Sequence, residues 1–303
     1  ALIGSRDLYS EKKNLLYKNI LPLSINESHV DLKDEAKIKC EKLIEKFNIV
    51  IDKIVCLHVR DHSYYNDINR RQYRNSSINN YASSIDYLIK NNYFVIRLGD
   101  KSAKKLNFKN KYFIDYPFTE LKSEIMDLFL IYQCQFYIGT PSGPMDTAYL
   151  FNKPVLLTNM YDIYPSFPRK SIDRGLFRKI IKKDNGKILS LSEFAKLNIN
   201  YHQTEVNIDD YHFEENTSNE LLTATKEFNE NIYKDRNLEK KIKFDNNQIS
   251  LNKFLKKRLE EIYNIEVIEK NYFKNDLWKK NEFIKIIKRF KSCEGTFSLS
   301  NIN

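Results

Sequence analysis

Short apolar runs alternate with longer amphipathic stretches through the first half of the chain. The run Ile54 to Val59, in "IDKIVCLHVRD", is almost unbroken and carries one His. A strand buried on both faces of a parallel sheet reads this way. "YFVIRLGD", "KYFIDYP", "QFYIGT" and "KPVLLTN" repeat the pattern and predict four more strands. Helices are predicted between them. "INNYASSIDYLIKNN" sets Tyr81, Ile85, Leu88 and Ile89 at helical spacing. "TELKSEIMDLFLIYQC" turns Leu121, Ile125, Leu128, Phe129 and Tyr132 inward, with Thr119 as its expected cap. "GPMDTAYLF" is a short helix. Upstream, "DLKDEAKIKCEKLIEKFN" opens on acids and closes on Lys, as a helix dipole favours, with Ile38, Leu43, Ile44 and Phe47 on one face.

Strands alternating with helices in this way imply βαβ units, right-handed crossovers and a parallel sheet. The fold class expected is α/β, a doubly wound Rossmann-like sheet with helical extensions at both ends. Three regions are expected: 1–50, a helical segment or linker; 51–225, the Rossmann-like domain; 226–303, a basic helical region. Past residue 160 the pattern weakens. "DIYPSFPRKSIDRG" reads as a loop, while "RKIIKK" and "LSLSEFAKL" read as short elements. "EENTSNELLTATKEFNENIY" reads as a helix with Thr217 or Asn216 as cap and Glu220 completing a capping box with Thr217.

In such a sheet the loops leaving the carboxyl ends of the strands share one crevice. "LHVRD", "RLGD" and "IGTPSGP" all lie on that edge. In the last, Gly139 and Gly143 permit a tight turn and close backbone approach, and Thr140 and Ser142 add hydroxyls. Pro144 suits a first helical turn, where free amides can hold a phosphate. A capped turn without ligand is the alternative. The turn is neither a Walker A loop nor a GxGxxG fingerprint. In "LHVRD", His58 and Arg60 share one strand face. Arg60 can hold phosphate through two parallel bonds or pair with Asp61. His58 can donate to phosphate, accept a proton, or be a satisfied core residue. Arg70, Arg71, Arg74 and Asn75 follow in a polar loop, which is either an anion site or a solvated face. Arg97 and Asp115 lie near other strand ends, and Asp127 and Glu124 could pair with these arginines.

Composition narrows the classes. With 30% charged and 42% hydrophobic residues, the 303-residue chain is globular, not disordered. The net charge of +10 suits anionic ligands, or simply a Lys-rich soluble surface. No apolar run is long enough to span a membrane. The start, "ALIGSRDLYS", lacks an initiator Met and the pattern of a signal peptide, so a trimmed or partial chain is expected. Cys40, Cys56, Cys134 and Cys293 form no CxxC pair. They indicate neither a disulfide framework nor a zinc site, which fits a cytoplasmic protein; Cys56 and Cys134 are expected in the core. No acidic or His cluster of metal-binding form appears, so no metal and no separate cofactor are expected.

Taken together, "CLHVRD", Arg74-Asn75, "YASSIDYLI", "VIRLGD", "FIDYPFTELKSEIMDLFL", "FYIGTPSGP", "KPVLLTN" and "ENTSNE" resemble, in order and spacing, a bacterial family of glycosyltransferases of the two-Rossmann (GT-B) type. They span roughly residues 54 to 225. More distantly, "HVR" is similar to the His-x-Arg motif of fucosyltransferases that use GDP-fucose. The resemblance implies metal-independent transfer of a sugar from a GDP- or UDP-linked donor to a glycan or lipid-linked acceptor hydroxyl, in surface polysaccharide synthesis. It implies that Arg60, with Arg74, Asn75 and Arg97, neutralises the donor diphosphate. Ser142 and Thr140 would hold phosphate or sugar oxygens beside Gly139 and Gly143, and Glu215 would reach the ribose or merely precede a helix cap. Asp61 and His58 are the local candidates for catalytic base.

The chain departs from that family in having only about fifty residues before "LHVRD". On that resemblance the acceptor domain is expected to be missing from this chain, much reduced, or replaced by the region after 226. "LWKKNEFIKIIKRFKSC", with Trp278 and Phe283 among lysines, would either lie on the inner membrane face or pack on the domain. Two other readings remain open: a non-catalytic nucleotide-sugar-binding subunit, and a polyanion- or nucleic-acid-binding protein. Against the last, the basic residues are dispersed and no nucleic-acid motif is present, so no nucleic-acid partner is expected.

Overall fold

The computed structural model describes residues 32–62, 72–161, 168–196, 208–236, 244–262 and 295–298. Arg70, Arg71, Cys293 and the basic segment around Trp278 lie outside them.

The strands are β1 (Ile54–His58), β2 (Phe94–Leu98), β3 (Phe113–Asp115), β4 (Phe136–Gly139), β5 (Val155–Met160), β6 (Arg174–Phe177) and β9 (Thr296–Phe297). They form one seven-stranded sheet in the order β3-β2-β1-β4-β5-β6-β9, parallel at every pairing. A small antiparallel pair, β7 (Lys179–Lys182) and β8 (Tyr211–Glu214), stands beside it. The helices are α1 (Asp34–Glu45), α2 (Ala82–Lys90), α3 (Glu124–Gln133), α4 (Gly143–Leu150), α5 (Leu191–Lys196), α6 (Ser218–Arg236) and α7 (Asn246–Ile262).

The unbroken apolar runs follow from burial on both faces. On β1, Val55 and Leu57 pack with Ile85 and Leu88 of α2 and Leu221 and Phe228 of α6. Ile54 and Cys56 point the other way, into a core with Ile44 of α1, Phe129 and Leu130 of α3, Ala148 of α4 and Leu255 of α7. Strands 3-2-1-4-5-6 with helices on both faces define a doubly wound, Rossmann-like α/β fold. Cys40, Cys56 and Cys134 are free, buried thiols. Among the described residues no helix is long and apolar enough to cross a membrane.

Several local expectations change. On α1, Ile38 is 51% exposed, and Cys40 takes the buried position with Ile44. α3 starts at Glu124, not near Thr119. The Thr119 hydroxyl donates to the Tyr116 carbonyl at 2.9 Å, closing a separate turn, and Ser123 caps the helix by accepting from the Met126 amide at 3.3 Å. β6 occupies the end of a stretch that reads as a loop. The capping box at Thr217 is present: its amide donates to Glu220 Oε2 at 2.7 Å, and its hydroxyl accepts from the Glu220 amide at 3.2 Å. α6 runs unbroken across residue 225, and β9 joins the same sheet as β1.

Candidate functional site

The strand order reverses between β1 and β4, which lie side by side with His58 opposite Gly139. Their carboxyl ends open the crevice where ligands bind in sheets of this kind. "LHVRD" and "GTPSGP" are the two segments that leave those ends. They are knitted directly together. The Thr140 amide donates to the His58 carbonyl at 3.0 Å, and the Arg60 amide donates to Thr140 Oγ1 at 3.0 Å. Thr140 is fully buried, so its hydroxyl holds the two loops in register. Gly139 serves the same close approach: a Cβ there would stand 2.6 Å from the His58 carbonyl oxygen. Gly143 differs. It is exposed, opens α4, and a Cβ there would meet only open space.

Ser142 stands at the head of α4 but does not cap it through its side chain. Its hydroxyl donates to the Thr140 carbonyl at 3.0 Å and lies 3.0 Å from His58 Nδ1. A hydroxyl has one proton. With that proton on the carbonyl, Ser142 Oγ accepts from His58 Nδ1–H, and the lone pair of the imidazole sits on Nε2. Burial is the main force keeping this ring neutral, followed by the Arg97 charge. Asp61 opposes them, Lys122 and Arg60 add to them, and the pKa falls to about 4. The unfolded ring titrates near the ordinary value of about 6.5. The folded pKa is depressed, so the stability tied to the neutral ring is present above that value and is lost as pH falls towards 4. The His58 ring resonances should therefore titrate near pH 4 by NMR. A midpoint near the ordinary value would refute this environment.

The arginines are placed unequally. Arg60 is 7% exposed and donates through Nη1 to Asn75 Oδ1. Arg74 lies over the Tyr161 ring, 5.2 Å from its centroid. Arg97 is 2% exposed, pairs with Asp115 at 3.2 Å and donates to the Lys104 carbonyl at 2.7 Å, so it organises the loop after β2. Asp61 accepts from the Lys104 amide at 3.3 Å. Glu215 accepts from the Ser77 amide at 2.7 Å and from Asn80 Nδ2 at 3.2 Å, which anchors the loop that contains Asn75.

Two cations passed over in the sequence belong to this edge. Arg178 is buried and donates to the Asn75 carbonyl, to Ser76 Oγ at 2.6 Å and to the Asn159 carbonyl at 3.2 Å. Lys122 leaves the loop after β3 and bonds Asp127 at 2.7 Å. The signal for Lys122 was in "LKSEIMD", where Lys and Asp flank the start of a helix. Further along the edge, "TN" and "ENT" meet. The Asn159 amide donates to Asn216 Oδ1 at 2.7 Å, and the Asn216 amide donates to Asn159 Oδ1 at 2.8 Å. The Tyr81 hydroxyl ties into this pair, accepting from Asn159 Nδ2 at 3.0 Å and meeting Thr158 Oγ1 at 2.7 Å.

Among the described residues no group of three or more His, Cys, Asp or Glu is placed to hold a metal ion. The strand order defines a Rossmann-like α/β chain, with Arg60 leaving the carboxyl end of β1 at the strand-order reversal. No protein-family profile matches the chain, and no curated protein matches it. Among solved structures, the crystal structure of the glycosyl transferase family 9 from Veillonella parvula DSM 2008 is similar over 43% of this chain at 12% identity, with a TM-score of 0.32. The match spans 36% of that protein, little more than a third of its length. The fold assignment stands on strand order, not on that likeness.

Proposed function

We propose that this chain is a glycosyltransferase that binds a nucleoside diphosphate sugar at the crevice between β1 and β4 and transfers the sugar to an acceptor hydroxyl. The observation that carries the proposal is the joining of "LHVRD" to "GTPSGP" at the strand-order reversal. The charges around His58 support it. Arg97, Lys122 and Arg60 bear on the ring against Asp61, so cationic side chains gather at this edge, two of them held by Asp115 and Asp127. The order and spacing of the motif set support the reaction class.

In the proposed reaction the bond between the anomeric carbon and the diphosphate oxygen breaks, and a bond to the acceptor oxygen forms. The nucleoside diphosphate leaves with the electron pair. Arg60, beside the exposed start of α4, stabilises the charge that develops on it. The acceptor proton passes to His58 Nε2 or to the Asp61 carboxylate, which flank Arg60 at the carboxyl end of β1. The donor is GDP- or UDP-linked and the acceptor is a glycan or lipid-linked hydroxyl.

A thermal-shift screen against UDP, GDP, CMP, ADP and dTDP, with and without EDTA, tests the reading. A ligand that binds only the folded state raises the melting temperature. We expect one nucleoside diphosphate to raise it and EDTA to leave the shift unchanged. No shift with any nucleotide would overturn the proposal. A shift without sugar transfer would identify a binding subunit. Steeply salt-dependent binding of oligonucleotides would favour the polyanion reading.

A further inference from the structure

The loop after β3 brings a cation to the crevice that the motif reading leaves without a task. Lys122 is 18% exposed at its side chain. Its ammonium is held from two sides. Asp127, on the first turn of α3, accepts from it at 2.7 Å, and the Tyr116 ring lies beneath it with the centroid at 5.2 Å. Tyr116 is itself fixed: its hydroxyl donates to the Ser123 carbonyl at 3.1 Å and accepts from the Ser123 amide at 3.0 Å. Lys122 is close enough to His58 on β1 and to Asp100 after β2 to bear on the protonation of both. The loops after β1, β2 and β3 meet beside it: Asp61 accepts from the Lys104 amide at 3.3 Å, Lys105 lies over the Phe118 ring with the centroid at 5.5 Å, and Gly99 packs against Pro117.

A Lys held only for structure would be indifferent to anything in the crevice. This one is a compact point charge on a flexible stem, with one carboxylate partner and some exposure. We propose that Lys122 is a diphosphate-sensing residue: it rests on Asp127 in the empty crevice and moves its charge onto the terminal phosphate of a bound nucleoside diphosphate. Asp127 is then the competitor that keeps the lysine in place until the ligand arrives. The inference rests on the function proposed above and adds to it the distinction between one phosphate and two.

Two substitutions of opposite expected sign test it. Binding of GDP, GMP, UDP, UMP and inorganic pyrophosphate is measured by calorimetry to wild type, Lys122→Met and Asp127→Asn, with the melting temperature of each variant recorded. Lys122→Met should lose ~10-fold or more in affinity for the diphosphate that wild type binds, the scale of one charge-assisted bond, and keep its affinity for the monophosphate. Asp127→Asn should bind that diphosphate as tightly as wild type or more tightly, because the competitor is gone. Equal losses in both variants would mean that the ion pair only shapes the loop, and the inference falls. It also falls if Lys122→Met binds diphosphate and monophosphate as wild type does. If wild type binds none of the probes, the proposed function itself fails, which is a separate outcome.

Discussion

Replacing Arg60 with Ala should weaken binding of the nucleoside diphosphate by about 1.5–3 kcal/mol, the range for a hydrogen bond to a charged group. The side chain is prepared for such a contact. Thr140 Oγ1 fixes its backbone amide and Asn75 Oδ1 holds its guanidinium, so little freedom remains to be lost on binding. Calorimetry with the nucleotide found in the screen measures the effect. Arg60→Lys keeps the charge but loses the planar fork, so it should recover only part of the affinity. Replacing Arg60 also removes the donor to the Asn75 side-chain oxygen, so folding must be checked separately by thermal melting. Unchanged affinity in a folded Arg60→Ala protein would remove this residue from the site. Ser142→Ala should cost less, because its hydroxyl is neutral and is already engaged with the Thr140 carbonyl and His58.

Asn216→Ala should lower folding stability by about 2–6 kcal/mol without touching the crevice charges, since two buried partners are orphaned at about 1–3 kcal/mol each. The Asn159 amide loses its acceptor, and the Phe177 carbonyl loses the Asn216 Nδ2 donor at 2.7 Å. Both asparagines are almost fully buried, so water cannot easily replace the lost bonds. The strain is compounded at Asn159, which holds φ at 52°, a left-handed conformation that the reciprocal pair secures. Urea denaturation measures the loss. A change below about 1 kcal/mol would show that the pair is not a stabilising joint.

β1, β2, β4 and β5 were legible because burial on both faces leaves a continuous apolar run, whereas β3, at the sheet edge, showed only as Phe113 and Ile114 before Asp115. β6 was not. "RGLF" opens on Arg174, whose charge is accommodated by Glu227 at 3.2 Å, a residue on a helix distant in sequence. β9 has two residues, too few to carry any pattern. At the site, the meeting of "LHVRD" and "GTPSGP" followed from topology alone, because carboxyl ends share an edge. The use of each side chain did not follow. Thr140 and Arg97 read as ligands; in the fold the Thr140 hydroxyl also accepts from the Arg60 amide and Arg97 Nη1 also pairs with Asp115, neighbours whose proximity only the fold creates. Arg178 went unnoticed because its partner Asn75 is 103 positions away. The two asparagines read as motif letters, and their mutual pairing across 57 positions became visible only in three dimensions.

The seventh strand has a consequence for how the chain reaches this form. β6 lies between β5 and β9, and Gly175 pairs with Phe297. On the ribosome, β5 and β6 can pair long before Phe297 emerges. Until then β6 is an open sheet margin, with unsatisfied amides and carbonyls able to recruit a strand from another nascent chain. The anchor that ends this interval is polar. Ser298 donates to Glu227 at 2.8 Å and Gln248 donates to the Phe297 carbonyl at 2.9 Å, so the late strand is latched to helices already in place. Synthesis order thus makes this margin the point at which a slow or interrupted chain is most exposed to misassembly.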